Sequence, residues 1–461
     1  IIQNYINLYR IPKKSKLFIN FALHLKLKKM EINKAQIKGI IDSFNLPDFS
    51  KATIREIVGI GKKIEAETGM RMARMEMGVP GVPASEIGVN AEIEALKRGV
   101  ASVYPTLEGE KALKEESSRF IKAFIGVDVA PECCVPAVGS MNGVFAAFTV
   151  CGQCDPKKDT VLFIDPGFPV QKMQLQVLGY KSESFDVYDY RGEKLQAKLE
   201  SYLEKGNICA IIYSNPNNPS WVCLTEQELE IIGSAATKYD AIVIEDLAYF
   251  AMDFRKDLSH PFEAPYQPTV ARYTDNYLLM ISGSKAFSYA GQRIGIIAMS
   301  NGIYRRKYAG LKARYGVDEF GNVLISRVLY CLSAGVTHST QYAMAAMLKA
   351  ANDGEFNFLE SVKTYGEKAA VLKKFFLENG FHLVYDKDLD EDIADGFYFT
   401  VGYKDMTGVE LMYELFFYGI SAIALDTTGS KQQGLRICTS FVDPNMYSEI
   451  EERIIAFSKE H

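Results

Sequence analysis

The sequence lacks any apolar run that approaches the roughly 20 residues a membrane-spanning helix needs. It also lacks a basic excess, because its 461 residues include 52 Lys and Arg against 57 Asp and Glu and carry a net charge of -5. Proteins that bind duplex nucleic acid usually carry a strong excess of positive charge. We therefore expect neither a membrane nor a nucleic acid as a partner, and small-molecule chemistry becomes the better expectation.

The eight cysteines do not form the pattern of a disulfide framework. Cys209 and Cys438 lie in apolar, strand-like runs, as buried and reduced thiols do in cytosolic proteins. Cys151 and Cys154 form a C-x-x-C motif, but no second pair and no nearby histidine cluster completes a metal site. We expect no bound metal, and the charge and cysteine usage together favour a cytoplasmic location.

Residues 1–29 differ from the rest of the chain because they contain seven basic residues and no acidic one. Residues 17–25 are weakly similar to the core of a signal peptide, but polar interruptions and the lack of a small-residue cleavage site argue against one. We interpret residues 1–29 as a basic N-terminal extension and expect Met30 to be the native start of the protein.

Five short apolar runs follow one another through the middle of the chain, separated by helical patterns or loops. Both faces of each run are apolar, which suits buried and largely parallel strands. Between the second and third runs, Thr225 and Glu228 form the capping box of a helix that ends near Tyr239. The pattern predicts an α/β fold in which helices cover a mostly parallel central sheet. The runs are residues 160–165, 208–213, 241–245, 277–281 and 294–299.

The C-terminal part predicts a second, smaller α+β domain. Residues 358–378 have a helical pattern, residues 397–401 and 434–438 are strand-like, and residues 446–459 form a closing helix. No repeat, low-complexity tract or Pro/Gly/Ser linker interrupts the chain, so we expect the two domains to pack closely. We assign residues 30–75 to an N-terminal arm and part of the small domain, 76–345 to the large domain and 346–461 to the C-terminal small domain.

Polar motifs follow four of the five predicted strands, at the point where each strand ends. These motifs are Asp165–Pro169, Ser214–Ser220, Asp246–Tyr249 and Ser282–Lys285. In a parallel sheet the functional loops gather at the carboxyl ends of the strands. We therefore expect a single cavity at this edge of the sheet, lined by an amide, a carboxylate, a phenol, an amine and an aromatic ring.

Lys285 lies in a Ser- and Gly-rich turn after an apolar strand, which is where an imine-forming amine is placed. Partial desolvation and a nearby cation, here Arg293, lower the pKa of such a lysine toward neutrality. Asp246 ends the preceding strand, where a carboxylate is costly unless a cation such as a protonated pyridine nitrogen neutralises it. The simpler alternatives are that Lys285 is a solvated lysine on a turn and that Asp246 is a helix-capping aspartate. The occurrence of both residues in one chain argues against these alternatives. Glu245 competes with Asp246, although strand alternation turns it to the other face.

Val138–Gly143 precedes a helical pattern over residues 144–154, so its backbone N–H groups are exposed at a helix N-terminus. Such an end favours phosphate. Many helices begin with Gly and Ser and bind nothing, so this motif alone is weak. Ser282 and Arg293 add a hydroxyl and a guanidinium from the lysine loop, which strengthens the prediction of a phosphate site.

Together these motifs resemble the fold type I pyridoxal-phosphate enzymes, specifically the class I/II aminotransferase family related to aspartate aminotransferase. The resemblance extends from about Met75 to the C-terminus and rests on the order and spacing of Asn215–Pro219, Asp246–Tyr249 and Ser282–Lys285, with Arg293 downstream. It implies pyridoxal 5'-phosphate as the cofactor, bound through an internal aldimine on Lys285. It further implies an L-amino acid and a 2-oxo acid as the substrates of a transamination.

The resemblance also implies roles for single residues. Lys285 is the proton carrier, Asp246 keeps the pyridinium nitrogen protonated, and Tyr249 hydrogen-bonds the phenolate oxygen together with Asn218. The family's cofactor-binding positions correspond to Tyr104, Gly139, Ser140, Met141, Phe168, Asn218, Asp246, Tyr249, Ser282, Lys285 and Arg293.

Substrate and partner contacts follow from the same resemblance. Arg436 matches the arginine that binds the substrate α-carboxylate through a bidentate fork, with Asn218 and Gly78 nearby. Tyr104 matches a tyrosine that reaches the phosphate of the neighbouring subunit. A homodimer with active sites at the subunit interface is therefore implied.

The sequence departs from the family pattern at two motifs. Gly78–Gly81 reads Gly-Val-Pro-Gly where Gly-x-Pro-Asp is common, and Ser220 and Trp221 stand where Thr-Gly is usual. No second arginine matches a binder of a distal carboxylate with certainty, and Arg71 and Arg74 are the candidates. These departures leave the substrate side chain open.

Two other functions remain compatible with the sequence. A lyase or decarboxylase on the same fold uses the same cofactor and lysine, because the orientation of the substrate decides which bond breaks. A noncatalytic ligand-sensing domain of a transcription regulator is the alternative from another class. Residues 1–60 contain no convincing helix-turn-helix, and the acidic balance does not suit DNA, so transamination is the prediction we carry forward.

Overall fold

The computed structural model describes residues 33–46, 49 and 52–461, so the extension predicted over residues 1–29 and the start at Met30 lie outside the described residues. The α-helices are α1 (Lys34–Asp42), α2 (Ile54–Thr68), α3 (Glu86–Lys97), α4 (Lys111–Ile125), α5 (Gly139–Cys154), α6 (Pro169–Leu178), α7 (Lys194–Leu203), α8 (Glu226–Lys238), α9 (Asn301–Arg305), α10 (Ala309–Tyr315), α11 (Phe320–Val323), α12 (Tyr330–Ser333), α13 (His338–Asn352), α14 (Thr364–Leu377), α15 (Gly408–Phe417) and α16 (Tyr447–Glu460).

The strands are β1 (Ala73–Arg74), β2 (Cys134–Ala137), β3 (Thr160–Asp165), β4 (Lys181–Asp186), β5 (Ile208–Ser214), β6 (Ile242–Leu247), β7 (Tyr277–Ser282), β8 (Gly295–Met299), β9 (Phe381–Leu383), β10 (Lys387–Asp388), β11 (Glu391–Asp392), β12 (Tyr398–Tyr403), β13 (Ile420–Ser421), β14 (Ile423–Ala424) and β15 (Leu435–Cys438). In the part of the chain that the structure describes, no helix has the length and apolar character that a membrane crossing requires.

A central sheet of seven strands, in the order β2-β8-β7-β6-β5-β3-β4, forms the core of the larger part of the molecule. Strands β3 to β7 pair in parallel, whereas β8 runs antiparallel to both of its neighbours. The five predicted apolar runs are strands β3, β5, β6, β7 and β8, which confirms the mostly parallel sheet. β2 and β4 lie at the two edges of the sheet and were not predicted, because β2 is only four residues long and β4 carries polar and partly exposed side chains.

The helix predicted after the second strand is α8, and its capping box forms as expected. The Thr225 hydroxyl accepts a hydrogen bond from the Glu228 backbone N–H, and the Glu228 carboxylate accepts one from the Thr225 backbone N–H at 2.9 Å. Leu229 and Ile232 on its apolar face are buried against the sheet. This reciprocal capping satisfies backbone donors that a helix N-terminus otherwise leaves unpaired.

The smaller part is built on the antiparallel sheet β14-β15-β12-β9, covered by α14, α15 and α16. A second apolar cluster fills it, and this cluster also contains Ile57, Ile60 and Ile64 of α2. β1 pairs in parallel with β13, so the N-terminal segment is tied to the C-terminal part of the chain. The helix predicted over residues 358–378 begins only at Thr364, because the apolar residues before it are buried in turns against the larger core.

Candidate active site

A cavity of about 360 Å³ lies where the carboxyl ends of β5, β6 and β7 meet β12 and β15 of the smaller sheet. Tyr104 and Gly139 are the two predicted site residues that do not line it. The predicted residues that line it are Gly78, Ser140, Met141, Phe168, Asn218, Asp246, Tyr249, Ser282, Lys285, Arg293 and Arg436. The fold therefore brings together side chains that are widely separated along the chain.

Lys285 projects into this cavity from the turn after β7. Its ammonium donates a hydrogen bond to the Gly78 carbonyl and lies 5.3 Å from the centre of the Phe397 ring. Burial is the main cause that lowers the pKa of Lys285 to about 8, and the positive charges of Arg436 and Arg293 contribute to this lowering. An amine with this pKa is partly in its free-base form near neutral pH, as a nucleophile or general base must be.

Asp246 is the last but one residue of β6, lines the cavity and is 7% exposed. Its carboxylate accepts hydrogen bonds from the Gln171 side-chain amide at 2.9 Å and from the Ala248 backbone N–H at 3.2 Å. Burial raises the pKa of Asp246 to about 6. Both donors are neutral, so a cation placed beside this carboxylate would lower its cost of burial.

Glu245, the competitor of Asp246 in the sequence, does not line the cavity. Its carboxylate accepts hydrogen bonds from the Tyr213 hydroxyl at 3.2 Å, from the Thr269 hydroxyl and from the Val270 backbone N–H. Burial raises its pKa to about 7. Successive residues of a strand face opposite sides, and this alternation separates the two acids.

A cradle for an anion is formed where α5 begins. Ser140 and Met141 lie in the first turn of this sixteen-residue helix and line the cavity. Gly139 has a positive φ of 72°, and a Cβ atom there would lie 2.3 Å from Arg293 Nη2, so only glycine lets the guanidinium approach. Ser282 also lines this end of the cavity. Helix N–H groups, a guanidinium and a hydroxyl are the donors that suit a phosphate.

Arg436 reaches the other end of the cavity from β15 and is 3% exposed. It donates hydrogen bonds through Nη2 to the Glu76 carbonyl at 2.7 Å and through Nη1 to Asn218 Oδ1 at 3.4 Å. Its Nε is buried and has no hydrogen-bond partner among the described residues. A buried guanidinium with an unmet donor favours the binding of a carboxylate.

An aromatic cluster forms the back of the cavity around Tyr249. Its hydroxyl shares a hydrogen bond of 2.8 Å with the Tyr398 hydroxyl, and the Tyr398 ring lies 4.7 Å from the Arg436 guanidinium carbon. Trp221 is fully buried against both tyrosines, with ring centres 5.4 and 6.1 Å away. Trp221 has a positive φ of 64°, and a Cβ atom on Gly396 would lie 2.1 Å from its indole ring.

Sequence reasoning missed Gln171 and Tyr398, which both contact predicted site residues. Gln171 lies on α6, in the first turn after Phe168, and a search for polar residues in that turn points to it. Tyr398 begins β12, which was predicted only as a strand. Its contact with Tyr249 joins residues 149 positions apart, so the sequence carries no local signal for it.

Arg71 and Arg74, the candidates for binding a distal carboxylate, do not line the cavity. Arg71 pairs with Asp443 at 2.6 Å on the surface. Arg74 donates to the buried Glu76 carboxylate at 2.6 Å and lies 3.4 Å from Glu65. Both guanidinium groups are therefore engaged by acids of this chain outside the cavity.

Tyr104 is 87% exposed and lies outside the cavity of its own chain. Near it along the chain, Val89, Ile93 and Leu96 form an exposed apolar face of α3. This face lines a shallow depression together with residues 288–292 of the lysine loop.

Elsewhere, the described residues contain no cluster of ligands that could hold a metal ion, and burial raises the pKa of the Cys151 thiol well above its usual range.

Comparison with known proteins connects the chain to one family and to several relatives. The family described as aminotransferase class I and II matches residues 81–454. The LL-diaminopimelate aminotransferase of Natranaerobius thermophilus is 24% identical over 379 residues, which are 79% of this chain and 88% of that protein. The enzyme of the same name from Halothermothrix orenii is 29% identical over 208 residues, 44% of this chain and 51% of that protein. The chain thus spans about half the length of one of these relatives and most of the other.

Solved structures show the same fold at low sequence identity. The Thermus thermophilus aspartate aminotransferase with maleate superposes with a TM-score of 0.70 at 15% identity and covers 88% of this chain and 96% of its own. The alanine aminotransferase from Pyrococcus furiosus gives a TM-score of 0.71 at 18% identity, with coverage of 89% and 98%.

Proposed function

Since the chain belongs to the class I and II aminotransferase family, we propose that it moves an amino group from an amino acid to a 2-oxo acid with pyridoxal 5'-phosphate as its cofactor. One observation supports this function above the others. Lys285, Asp246 and Arg436 converge on one cavity, and each has an unmet requirement that a cofactor or substrate satisfies. The Lys285 amine, whose pKa lies near neutrality, is complementary to an aldehyde. The buried Asp246 carboxylate has only neutral donors and is complementary to a pyridinium. The Arg436 guanidinium has a free buried Nε and is complementary to a carboxylate.

The residues present fit the proposed cofactor. Asp246 would hold the ring nitrogen, the N-terminus of α5 with Ser282 and Arg293 would hold the phosphate, and Phe168 would pack against the ring. Asn218 and Tyr249 would donate hydrogen bonds to the phenolate oxygen. When it is bound, the cofactor supplies an electron sink for the negative charge that develops at the substrate Cα.

Lys285 would act as the general base. In the structure its amine donates a hydrogen bond to the Gly78 carbonyl, which holds it inside the cavity. The pKa of about 8 matches the task of removing the Cα proton near neutral pH and returning it later in the reaction. In this proposal the free amine of Lys285 therefore carries the Cα proton.

Arg436 would bind the α-carboxylate and fix the orientation of the substrate. Its guanidinium is held against the Tyr398 ring and by the Glu76 carbonyl, which leaves the buried Nε to donate to an incoming carboxylate. Two parallel hydrogen bonds from one guanidinium fix a carboxylate in position and direction. Fixing the carboxylate places the Cα–H bond within reach of Lys285, which is the main contribution of orientation to the rate.

We also propose that the protein is a homodimer with Tyr104 reaching the phosphate of the partner subunit. The 87% exposure of Tyr104 and the apolar face of α3 beside the lysine loop support this assembly. Exposed apolar surface of this kind commonly marks a protein interface. Light scattering of the purified protein tests the assembly, and a monomer at micromolar concentration would contradict it.

The reaction is tested with purified protein, pyridoxal 5'-phosphate and a panel of amino acids. Each amino acid is first added alone, and conversion of the bound cofactor to its amine form is followed by absorbance. A 2-oxo acid is then added, and the new amino acid is identified by mass spectrometry. An aminotransferase gives both half-reactions, whereas a lyase or decarboxylase releases product without leaving the amine form.

A further inference from the structure

We infer, on the basis of the proposed function, that the amino donor carries an uncharged, aliphatic side chain such as that of leucine or methionine. The wall of the cavity opposite the sheet is formed by Ile54, Val58, Met77 and Val79. All four side chains are half-buried and apolar. No comparison with known proteins assigns a substrate side chain to this wall.

The position of the wall follows from α2. Ile54 and Val58 are four residues apart and therefore share one face of the helix. The neighbouring face carries Ile57, Ile60 and Ile64, which are buried in the small-domain core. A capping box between Thr53 and Glu56 fixes the start of the helix next to Ile54. The two side chains are thus held over the cavity by a packed helix.

The remaining part of the wall lies between the two groups that would fix the substrate. Arg436 donates to the carbonyl of Glu76, and Lys285 donates to the carbonyl of Gly78. Residues 76–79 therefore run directly alongside both groups, and Met77 and Val79 line the cavity there. A substrate with its carboxylate on Arg436 and its Cα next to Lys285 must place its side chain near this segment.

The charges of the cavity do not suit a second carboxylate or a side-chain ammonium. Among the described residues that line it, the charged ones are Asp246, Lys285, Arg293 and Arg436, and each already has a proposed partner. Arg71 and Arg74 are engaged by Asp443, Glu76 and Glu65 outside the cavity. A charged side chain would therefore lose its water against four apolar side chains without gaining a counter-charge from the described residues of its own chain.

Steady-state kinetics of the cofactor-loaded enzyme tests this inference. We expect kcat/KM for leucine and methionine to exceed that for aspartate, glutamate and lysine by at least about 100-fold with one common 2-oxo acid. Conversion of aspartate as fast as leucine would overturn the inference and leave the proposed function intact. If no amino acid is converted, the proposed function fails and this inference fails with it.

A pair of variants links the preference to the wall. Val58→Lys places a cation in the cavity, so the leucine-to-aspartate ratio of kcat/KM should fall by at least about 10-fold. Ala66→Lys is the matched control, because Ala66 is exposed on the same helix and does not line the cavity. If both variants keep the wild-type ratio, α2 does not select the substrate. Should Val58→Lys lose its circular-dichroism signal, Val79→Lys replaces it in the same assay.

Binding of unreactive acids gives a readout that does not depend on turnover. The loaded enzyme is titrated with 4-methylpentanoate and with maleate in a calorimeter. We expect the aliphatic monoacid to bind at least about 10-fold more tightly than the diacid, and Val58→Lys to reduce or reverse that difference. Tighter binding of maleate by the wild-type protein would overturn the inference.

Discussion

The two walls of the cavity are built in different ways. The sheet wall is polar, and its side chains stand at the ends of β5, β6 and β7, which are buried strands with fixed register. The opposite wall consists of apolar side chains from α2 and from residues 77–79, with Arg436 and Tyr398 from the small sheet at its edge. In our proposal the sheet therefore holds the chemical groups, whereas a helix and a loop select the substrate and can change without disturbing those groups.

Loss of the Lys285 amine from the sheet wall should reduce activity more than any other substitution considered below. We expect Lys285→Ala to reduce kcat by at least about 10⁴-fold, because it removes the general base and the amine that holds the cofactor. Turnover with the preferred amino acid and the cofactor absorbance are the measurements. Lys111→Ala is the control, since the Lys111 side chain is 88% exposed and should leave both unchanged. A Lys285→Ala enzyme with wild-type turnover would show that another residue moves the proton.

A change of Arg436, the charged side chain at the edge of the apolar wall, should have the next largest effect on activity. Arg436→Lys keeps the charge but loses the planar fork, so we expect kcat/KM to fall by about 10²- to 10³-fold while the cofactor still binds. The matched control is Arg71→Lys, because Arg71 pairs with Asp443 on the surface and does not line the cavity. An equal loss in both variants would mean that Arg71 also contacts the substrate, contrary to its position here.

The two walls meet at Trp221, which extends from the loop after β5 to pack on Tyr398 and Gly396 of the smaller part. Removing the buried indole with Trp221→Ala should lower the free energy of unfolding by about 3 kcal/mol. Gly396→Ala should also destabilise the protein, because its Cβ would lie 2.1 Å from the indole ring. Urea denaturation followed by circular dichroism measures both effects.

The double variant shows whether these two residues act as a pair. With the indole removed, the added methyl group of Gly396→Ala has space, so the two losses should sum to clearly more than the loss in the double variant. Strict additivity would indicate that each substitution acts through a separate contact. Coupling between the two residues would mean that the indole of Trp221 helps to fix the two walls relative to each other.

The sequence predicts the sheet wall much better than the apolar wall. Lys285, Asp246 and Arg293 lie in compact motifs after continuous apolar strands, so pattern and resemblance both identify them. Ile54 and Val58 look like any other apolar positions of an amphipathic helix, and only their placement over the cavity distinguishes them from Ile57 and Ile60. Whether an apolar side chain faces a core or a substrate is decided by tertiary packing, which one sequence does not encode locally.

The same limit explains the missed polar contacts. Gln171 contacts Asp246 across 75 positions, and Tyr398 contacts Tyr249 across 149. Neither residue belongs to a motif with a chemical signature of its own. The edge strands were missed for other local reasons, because β4 carries polar and partly exposed side chains and β2 is only four residues long.

The positive charge of Arg436, at the edge of the apolar wall, also lowers the pKa of Lys285 on the sheet wall. Removing this charge should have a smaller effect than the substitutions above. Burial lowers the pKa of Lys285 to about 8, with Arg436 and Arg293 adding to the lowering. The rate at which the cofactor-free protein incorporates pyridoxal 5'-phosphate should therefore rise with pH through a midpoint near 8, since only the free amine reacts. Arg436→Met removes one of the two cations, so the Lys285 ammonium becomes easier to keep protonated and the midpoint should move to higher pH. Absorbance stopped-flow at a series of pH values measures the midpoint, with Arg71→Met as the control of equal charge change outside the cavity. A midpoint that stays in place in Arg436→Met, or that moves equally in both variants, would mean that the two walls are electrostatically independent.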